Sequence, residues 1–239
     1  MTDTKDLYSK MLDSASGDES VIEIENQVLA PLLDEISLIK DWNIASFVRS
    51  ILLRAGPFWS IPSNFYESMQ NPLDEYGEGG NVLHTKRVVR ATALLSEAYE
   101  LSDKDRDIVL AAAILHDVTK ASKPSLSDST VYFDVMHPYT VDKFVRWIHR
   151  EDQTYAGDHQ SSTLFIDEEV GEKILRAIRC HMGAWSPIPE TKPTKKRDMV
   201  VHVANLVAKS LPYIIDGDDI QEWRWLNHSS DPKQDGEQE

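Results

Sequence analysis

His116 and Asp117 stand side by side at the end of the apolar run Ala111-Ala112-Ala113-Ile114-Leu115, and Lys120 follows about one helical turn on. An imidazole and a carboxylate on an apolar stripe cost free energy when they lose water unless something satisfies them, and a metal ion satisfies both at once. His84 upstream, and His137 and His181 downstream, also fall on apolar stripes near the start or end of predicted helices. One such histidine reads as a core residue whose hydrogen bonds are met. Several of them around a His-Asp pair read as a metal centre built among helices. Neutral imidazole and carboxylate donors suit borderline divalent ions such as Mn, Fe, Co, Ni or Zn. With a single cysteine, Cys180, and no Cys-x-x-Cys pair, a closed structural zinc site is not expected. An open His/Asp site would instead lower the pKa of a bound water and polarise a phosphoryl oxygen. Lys120 could offer such a phosphate a point charge, or merely solvate a helix end. Cys180 neighbours His181 and is a conceivable thiolate ligand, although a buried inert thiol is the simpler reading.

For these side chains to converge, the chain has to be helical. Val21, Ile24, Val28 and Leu32, with Leu29, Leu33 and Ile36, predict one amphipathic helix over residues 21–40; Ile44, Phe47, Val48, Ile51 and Leu52 predict another over 43–54. Gly56-Pro57 and Ile61-Pro62-Ser63-Asn64 break regularity, before a short helix around Phe65–Met69 and a loop from Asn71-Pro72 to Gly79-Gly80. His84, Val88, Ala91, Thr92, Leu95 and Tyr99 form the next stripe. Ser102 or Asp103 caps the helix that turns Ile108, Ala112, Leu115 and His116 inward. Residues 121–135 read as a polar loop ending in a strand-like Val131-Tyr132-Phe133. His137-Pro138 opens a helix with Val141, Phe144, Val145 and Ile148 inward, proline suiting the first turn. Residues 151–166 read as loop. Asp167 or Glu168 starts a helix aligning Val170, Ile174, Ala177, Ile178 and His181, and a proline-rich basic loop (186–197) precedes a last helix over 198–210. The expected fold class is mainly α.

The 239 residues suffice for one good-sized domain with appendages, and 41% hydrophobic content is ordinary for a globular protein. No apolar run is long enough to span a membrane and no leader with a basic start is visible, so a soluble, cytoplasmic protein with no membrane partner is expected. One cysteine fits a reducing compartment. The net charge of -15 sits at the ends: residues 1–41 carry ten acids against three bases, and 216–239 carry eight against two. The remaining 22 acids and 20 bases leave the centre nearly neutral, which excludes neither a nucleotide nor an oligonucleotide as ligand.

The order His84, His116-Asp117, His137, His181 resembles the HD-domain superfamily of metal-dependent phosphohydrolases. Four flanking segments are similar to the subset holding YhaM-type exoribonucleases and phage HD proteins: Gly79-Gly80-Asn81-Val82-Leu83-His84-Thr85, Leu115-His116-Asp117-Val118-Thr119-Lys120, His181-Met182-Gly183-Ala184-Trp185-Ser186-Pro187, and Val201-His202-Val203-Ala204-Asn205-Leu206-Val207-Ala208. The resemblance implies an HD-domain helical bundle over residues 79–215, preceded by a flexible acidic segment (1–20) and an added N-terminal helical extension (21–78), and followed by an acidic tail (216–239). It implies two divalent transition metals (Mn, Fe, Co or Ni, with Mg or Zn as further options). His84, His116, Asp117 and Asn205 would hold the first, and Asp117 would bridge to a second held by His137 and His181. Asp117 and Lys120 would be catalytic, with Lys120 and Trp185 meeting a nucleotide or short-oligonucleotide phosphoester. Apart from the resemblance, the basic cluster Lys192, Lys195, Lys196 and Arg197 follows Trp185 by a few residues and could meet a substrate phosphate, or be solvated loop residues. The chain departs from the family where a closing Asp becomes Asn205, a neutral ligand; Asp198, seven residues earlier, could replace it only in another helix register. Met182 replaces the second His of a common His-His pair. His202 reads as a residue bonded behind the ligands, while His159, His149 and His228 have no helical face behind them. Tyr132 and Phe133 are candidates to stack a base. Two other functions stay open. One is a di-iron oxygenase, for which Tyr76 and Glu78 lie in about the right region. The other is a nucleotide-sensing module, which the neutral Asn205 would suit.

Overall fold

The computed structural model describes residues 19–63, 72–121, 136–155, 166–186 and 188–210. The expected helix at Phe65–Met69, Tyr132, Phe133, His159, His228 and the far C-terminal tail lie outside the described residues. Among the described residues the fold is helical throughout, without strands: α1 (Glu19–Leu29), α2 (Leu33–Ser37), α3 (Trp42–Leu52), α4 (Gly80–Ala98), α5 (Asp103–Leu115), α6 (His137–Tyr155), α7 (Glu168–Cys180) and α8 (Lys196–Ser210), with short 3₁₀ turns between them. No helix among them is long and apolar enough to cross a membrane.

α5 is the axis of the bundle. From Ile108 to Leu115 every residue is fully buried, because α4, α7 and α8 pack around it and α3 closes the remaining side. Such all-round apolarity identifies a helix at the centre of a domain rather than on its surface. Ser102 caps α5, its hydroxyl accepting from Asp105 N, and Asp167 caps α7 by accepting from Val170 N. The N-terminal helices are part of the same core: Leu29, Leu32, Ile44, Phe47, Val48 and Ile51 are buried against it. They are tied down by Asp107 of α5, whose Oδ2 accepts from the backbone N–H groups of Lys40 and Asp41.

Two expectations need correction. The single helix over 21–40 is broken: α1 ends at Leu29, Ala30–Leu32 forms a 3₁₀ turn, and α2 follows. Pro31 is the cause, since it lacks a donor and its ring crowds the preceding turn; the apolar spacing continues across the break and hides it. The segment 151–155, expected as loop, continues α6 to Tyr155.

Candidate metal centre

Each candidate ligand sits where a helix starts, ends or faces inward. His116 and His181 are the C-terminal caps of α5 and α7, His137 is the first residue of α6, and His84 and Asn205 face each other from α4 and α8. The start of α4 depends on two glycines. Gly79 adopts φ +76°, the left-handed region, and a Cβ on Gly80 would lie 1.9 Å from the Glu75 carbonyl oxygen. Only this close approach lets α4 begin directly against the Leu73–Glu75 turn, one helical turn before His84.

The side chains form a buried row around Asp117. His84 Nδ1 lies 3.2 Å from Glu75 Oε2, and its Nε2 is 3.0 Å from Asn205 Oδ1. His116 Nε2 is 3.4 Å from Asp117 Oδ2, while His137 Nε2 and His181 Nε2 are 2.9 and 3.7 Å from Asp117 Oδ1. His84, His116 and Asp117 form one group able to hold an ion, and Asp117, His137 and His181 form another; within each, the ligand atoms lie within 4.8 Å of one another. All five residues are at most 5% exposed.

The bonds behind the ligands fix which nitrogen faces the centre. His116 Nδ1 donates to Ala113 O at 2.8 Å and His181 Nδ1 to Ile178 O at 2.7 Å, so in both rings Nε2 keeps its lone pair for the site. His116 Nε2 is buried without a hydrogen-bond partner among the described residues. His137 Nε2 and His181 Nε2 lie 3.3 Å apart. A lone pair aimed into a sealed site, beside two imidazole nitrogens and a carboxylate, is a donor set that fits a divalent transition metal. Electrostatics agrees. Burial lowers His84 to about pH 4, against the opposing pull of Glu75. His181 is held well below its usual range by burial and then by the neighbouring rings. Both are therefore neutral, as ligands must be. Burial alone would raise the Asp117 carboxyl, but His116, Lys120 and His137 hold it well below the usual carboxylate range.

Lys120 reaches the same place: its Nζ donates to Asp117 Oδ2 at 2.6 Å, and its side chain is only 12% exposed. Other sequence candidates go elsewhere. Arg197 pairs with Asp105 at 2.5 Å and sits eight residues before Asn205 on α8, about 12 Å up the helix. Its described partner is that carboxylate, not a member of either ligand group. Lys192 is exposed, and what it turns inward is its carbonyl, 3.9 Å from the Cys180 thiol. Burial pushes that thiol up to about 11, so it stays protonated, and it belongs to neither ligand group. Trp185 is exposed, with its ring centroid 6.2 Å from that of His202. His202 Nδ1 bonds the His181 carbonyl at 2.9 Å, which places it behind a ligand. Asp198 accepts from Arg176 Nε and from two backbone N–H groups at the start of α8, so it is not turned towards His84. Glu78 is exposed.

Sequence reasoning passed over the acid that does reach the centre, Glu75. It is fully buried, takes a hydrogen bond from Ser63 Oγ at 2.8 Å and one from Arg87 Nη1 at 2.8 Å, and Arg87 also grips Asp74 through both nitrogens at 2.9 and 2.6 Å. The available signal was Arg87, a cation three residues after His84 on a buried stripe that needs an acid somewhere. Lys209, one turn beyond Asn205, was also passed over; it is half-buried and feels Lys120, Asp117 and Glu75.

The HD-domain family model matches residues 82–209, more than half of the chain, and spans the ligand candidates from His84 to Asn205. Ser63, Asp74 and Glu75 lie outside the matched stretch. No curated protein and no solved structure matches the chain.

Proposed function

Since the chain belongs to the HD-domain family, we propose that it is a metal-dependent phosphohydrolase that cleaves a phosphoester of a nucleotide or short oligonucleotide at a dinuclear centre. His84, His116, Asp117 and Asn205 would hold one divalent ion, and Asp117, His137 and His181 the other. The observation that carries this reading is Asp117: one buried carboxylate common to both ligand groups, with Lys120 on its Oδ2. When bound, the ions would supply a Lewis acid for a phosphoryl oxygen and lower the pKa of an attacking water.

The chain's own residues do the rest. The hydrogen bonds from His116 and His181 to backbone carbonyls hold those rings in one tautomer and orientation. The fully buried end of α5 excludes water from the back of the site, which strengthens every charge interaction inside it. Lys120, whose Nζ lies on Asp117 Oδ2, would donate to a phosphate oxygen of the substrate. Beside the Val118-Thr119 turn that follows Asp117 lies a cavity of about 620 Å³, walled by Phe144 and Trp147, whose rings stack at 6.0 Å and 16°. Such a wall suits a nucleobase face. The described N-terminal helices spend their apolar faces on the core, which favours a small substrate over a long nucleic acid.

A second reading, a sensor that binds nucleotide without turnover, is favoured by one feature, the neutral Asn205 in place of an acid. The test of both is metal analysis joined to a hydrolysis screen over nucleotides, cyclic nucleotides and short oligonucleotides with Mn, Fe, Co, Ni and Mg. Hydrolysis by the metal-loaded protein is expected. Lys120→Met should keep the metal and lose about ten- to hundredfold in turnover, the size of one charge-assisted contact strengthened in the transition state. Binding without hydrolysis under every metal would put the sensor reading first.

A further inference from the structure

His202 belongs to neither ligand group, yet it joins the helix that carries Asn205 to the backbone of His181. α7 ends at Cys180, and the carbonyl of its C-terminal cap, His181, is one of those a helix end leaves without an intrahelical donor. His202 of α8 takes that carbonyl, its Nδ1 donating at 2.9 Å. A carbonyl only accepts, so the bond keeps the proton on Nδ1. Three residues further along α8, Asn205 Oδ1 lies 3.0 Å from His84 Nε2.

The seat of the His202 ring is a glycine. Gly183, two residues after His181, adopts φ +56°, the left-handed region, and a Cβ there would lie 2.0, 2.4 and 2.5 Å from His202 Cε1, Nε2 and Nδ1. Three ring atoms at similar distances put the imidazole face against the glycine, where a larger residue would push it away. Arg176 and Asp198 also join α7 to α8, but they lie five residues before His181 and seven before Asn205, roughly 7 and 10 Å back along the two helices. His202 makes its contact level with the ligands. His181 is thus fixed twice, its ring by Ile178 of its own helix and its carbonyl by α8. A movement of α8 that draws Asn205 away from His84 must either break the His202 bond or carry His181 with it.

Resting on the dinuclear phosphohydrolase reading, we propose that His202 is a positioning residue that couples the two halves of the centre, so that the ion held by His84 and Asn205 depends on a bond made to the backbone of His181. It touches neither ion nor substrate. What it sets is the register between the ligands of one half and those of the other.

The test reads the effect of His202 across the halves, on the full chain. In His181→Ala the ring that would bind the second ion is gone, while the carbonyl that His202 holds remains. One Mn ion is then expected, in the Asn205 half, with its affinity measured by chelator competition. Adding His202→Phe, which fills the seat on Gly183 but lacks the donor, should weaken that ion about tenfold, the lower end of what a residue supporting metal ligands contributes. Adding His202→Asn instead places an amide N–H where Nδ1 stood and should restore most of the affinity. A residue that only steadied the His181 ring would change nothing here, because that ring is absent. Circular dichroism of each metal-free variant follows the helices; should His202→Phe lose them, His202→Ala, which relieves the contact with Gly183, takes its place. Equal affinity with and without His202→Phe, or an equal loss in His202→Phe and His202→Asn, overturns the coupling and leaves the dinuclear reading intact where wild type takes up two Mn ions. Wild type that takes up fewer than two strikes that reading, and the coupling with it.

Discussion

The two halves of the candidate centre share Asp117 yet are supported by different means. In the half formed by Asp117, His137 and His181, support comes from backbone and hydroxyl groups. The Ile178 carbonyl holds His181, and the His137 carbonyl accepts from Thr119 and Thr140, whose hydroxyls are also bonded together. In the half formed by His84, His116, Asp117 and Asn205, the Ala113 carbonyl holds His116 but a carboxylate stands behind the other histidine: Glu75 faces His84 Nδ1 and is itself fixed by Ser63 and Arg87. A carbonyl chiefly orients a ring, whereas a carboxylate also makes it a more basic ligand. The half that has a neutral Asn205 in its ligand positions thus has a negative charge one residue further back. It is also the half that relies on residues outside the family match, Ser63 and Glu75.

The most severe way to break the comparison is at the shared residue. Asp117→Ala should empty both halves, taking metal stoichiometry from near two to near zero by elemental analysis, whereas His181→Ala should remove only one ion. If Asp117→Ala retained one ion in full, the halves would be independent and the carboxylate would not be common to them. Glu75→Gln discriminates more finely. It keeps shape but removes the charge behind His84, and should weaken the Asn205 half by about ten- to hundredfold in a chelator competition while leaving the other half unchanged. Equal weakening of both halves would mean that Glu75 supports the fold and not one ligand.

The contrast also explains what could be read in advance. The four histidines were legible because each occupies the end of an apolar stripe, where helical period alone places it at the core. Ser102 and Asp167 were legible as caps because their side chains act within one turn. Glu75 was not, because it comes from an irregular turn with no period to betray its direction, and its burial depends on Gly80 allowing backbone contact from another element. Arg197 is the converse case. Proximity to Trp185 along the chain suggested a shared surface, whereas its partner, Asp105, comes from α5 and no spacing in the sequence announces that pair. Pro31 shows that continuous apolar spacing is no proof of a continuous helix.

Acid should reveal the neutral state of His84 and His181 without any metal. His84 titrates near pH 4 in the folded protein and near 6.5 when unfolded. Above about pH 6.5 it is neutral in both states and contributes nothing. As pH falls from there towards 4, the unfolded chain takes up the proton and the folded chain does not, so stability is lost across that window. At pH 5 the loss from His84 is roughly 2 kcal/mol, and His181, shifted in the same direction, adds to it. Chelated protein should therefore melt several degrees lower at pH 5 than at pH 7. An unchanged or higher melting temperature at pH 5 would mean that His84 and His181 take up protons in the fold as readily as in the unfolded chain, and that burial does not keep them neutral.

The smallest effect addresses the asymmetry itself. Asn205 Oδ1 lies 3.0 Å from His84 Nε2, so the position is already within ligand range of the ion that His84 would hold. A carboxamide oxygen offers that ion a dipole; a carboxylate offers a full charge at nearly the same volume. Asn205→Asp should tighten the Asn205 half by about tenfold at most, because Glu75 already supplies part of the missing charge through His84, and because the added acid also attracts Lys209. In the Glu75→Gln background that partial compensation is gone, and the gain from Asn205→Asp should be larger. Competition titrations on the two single variants and the double variant measure this directly. A gain of the same size in both backgrounds would show that the two charges do not act on one ion, and the idea that Glu75 offsets the neutrality of Asn205 would be lost.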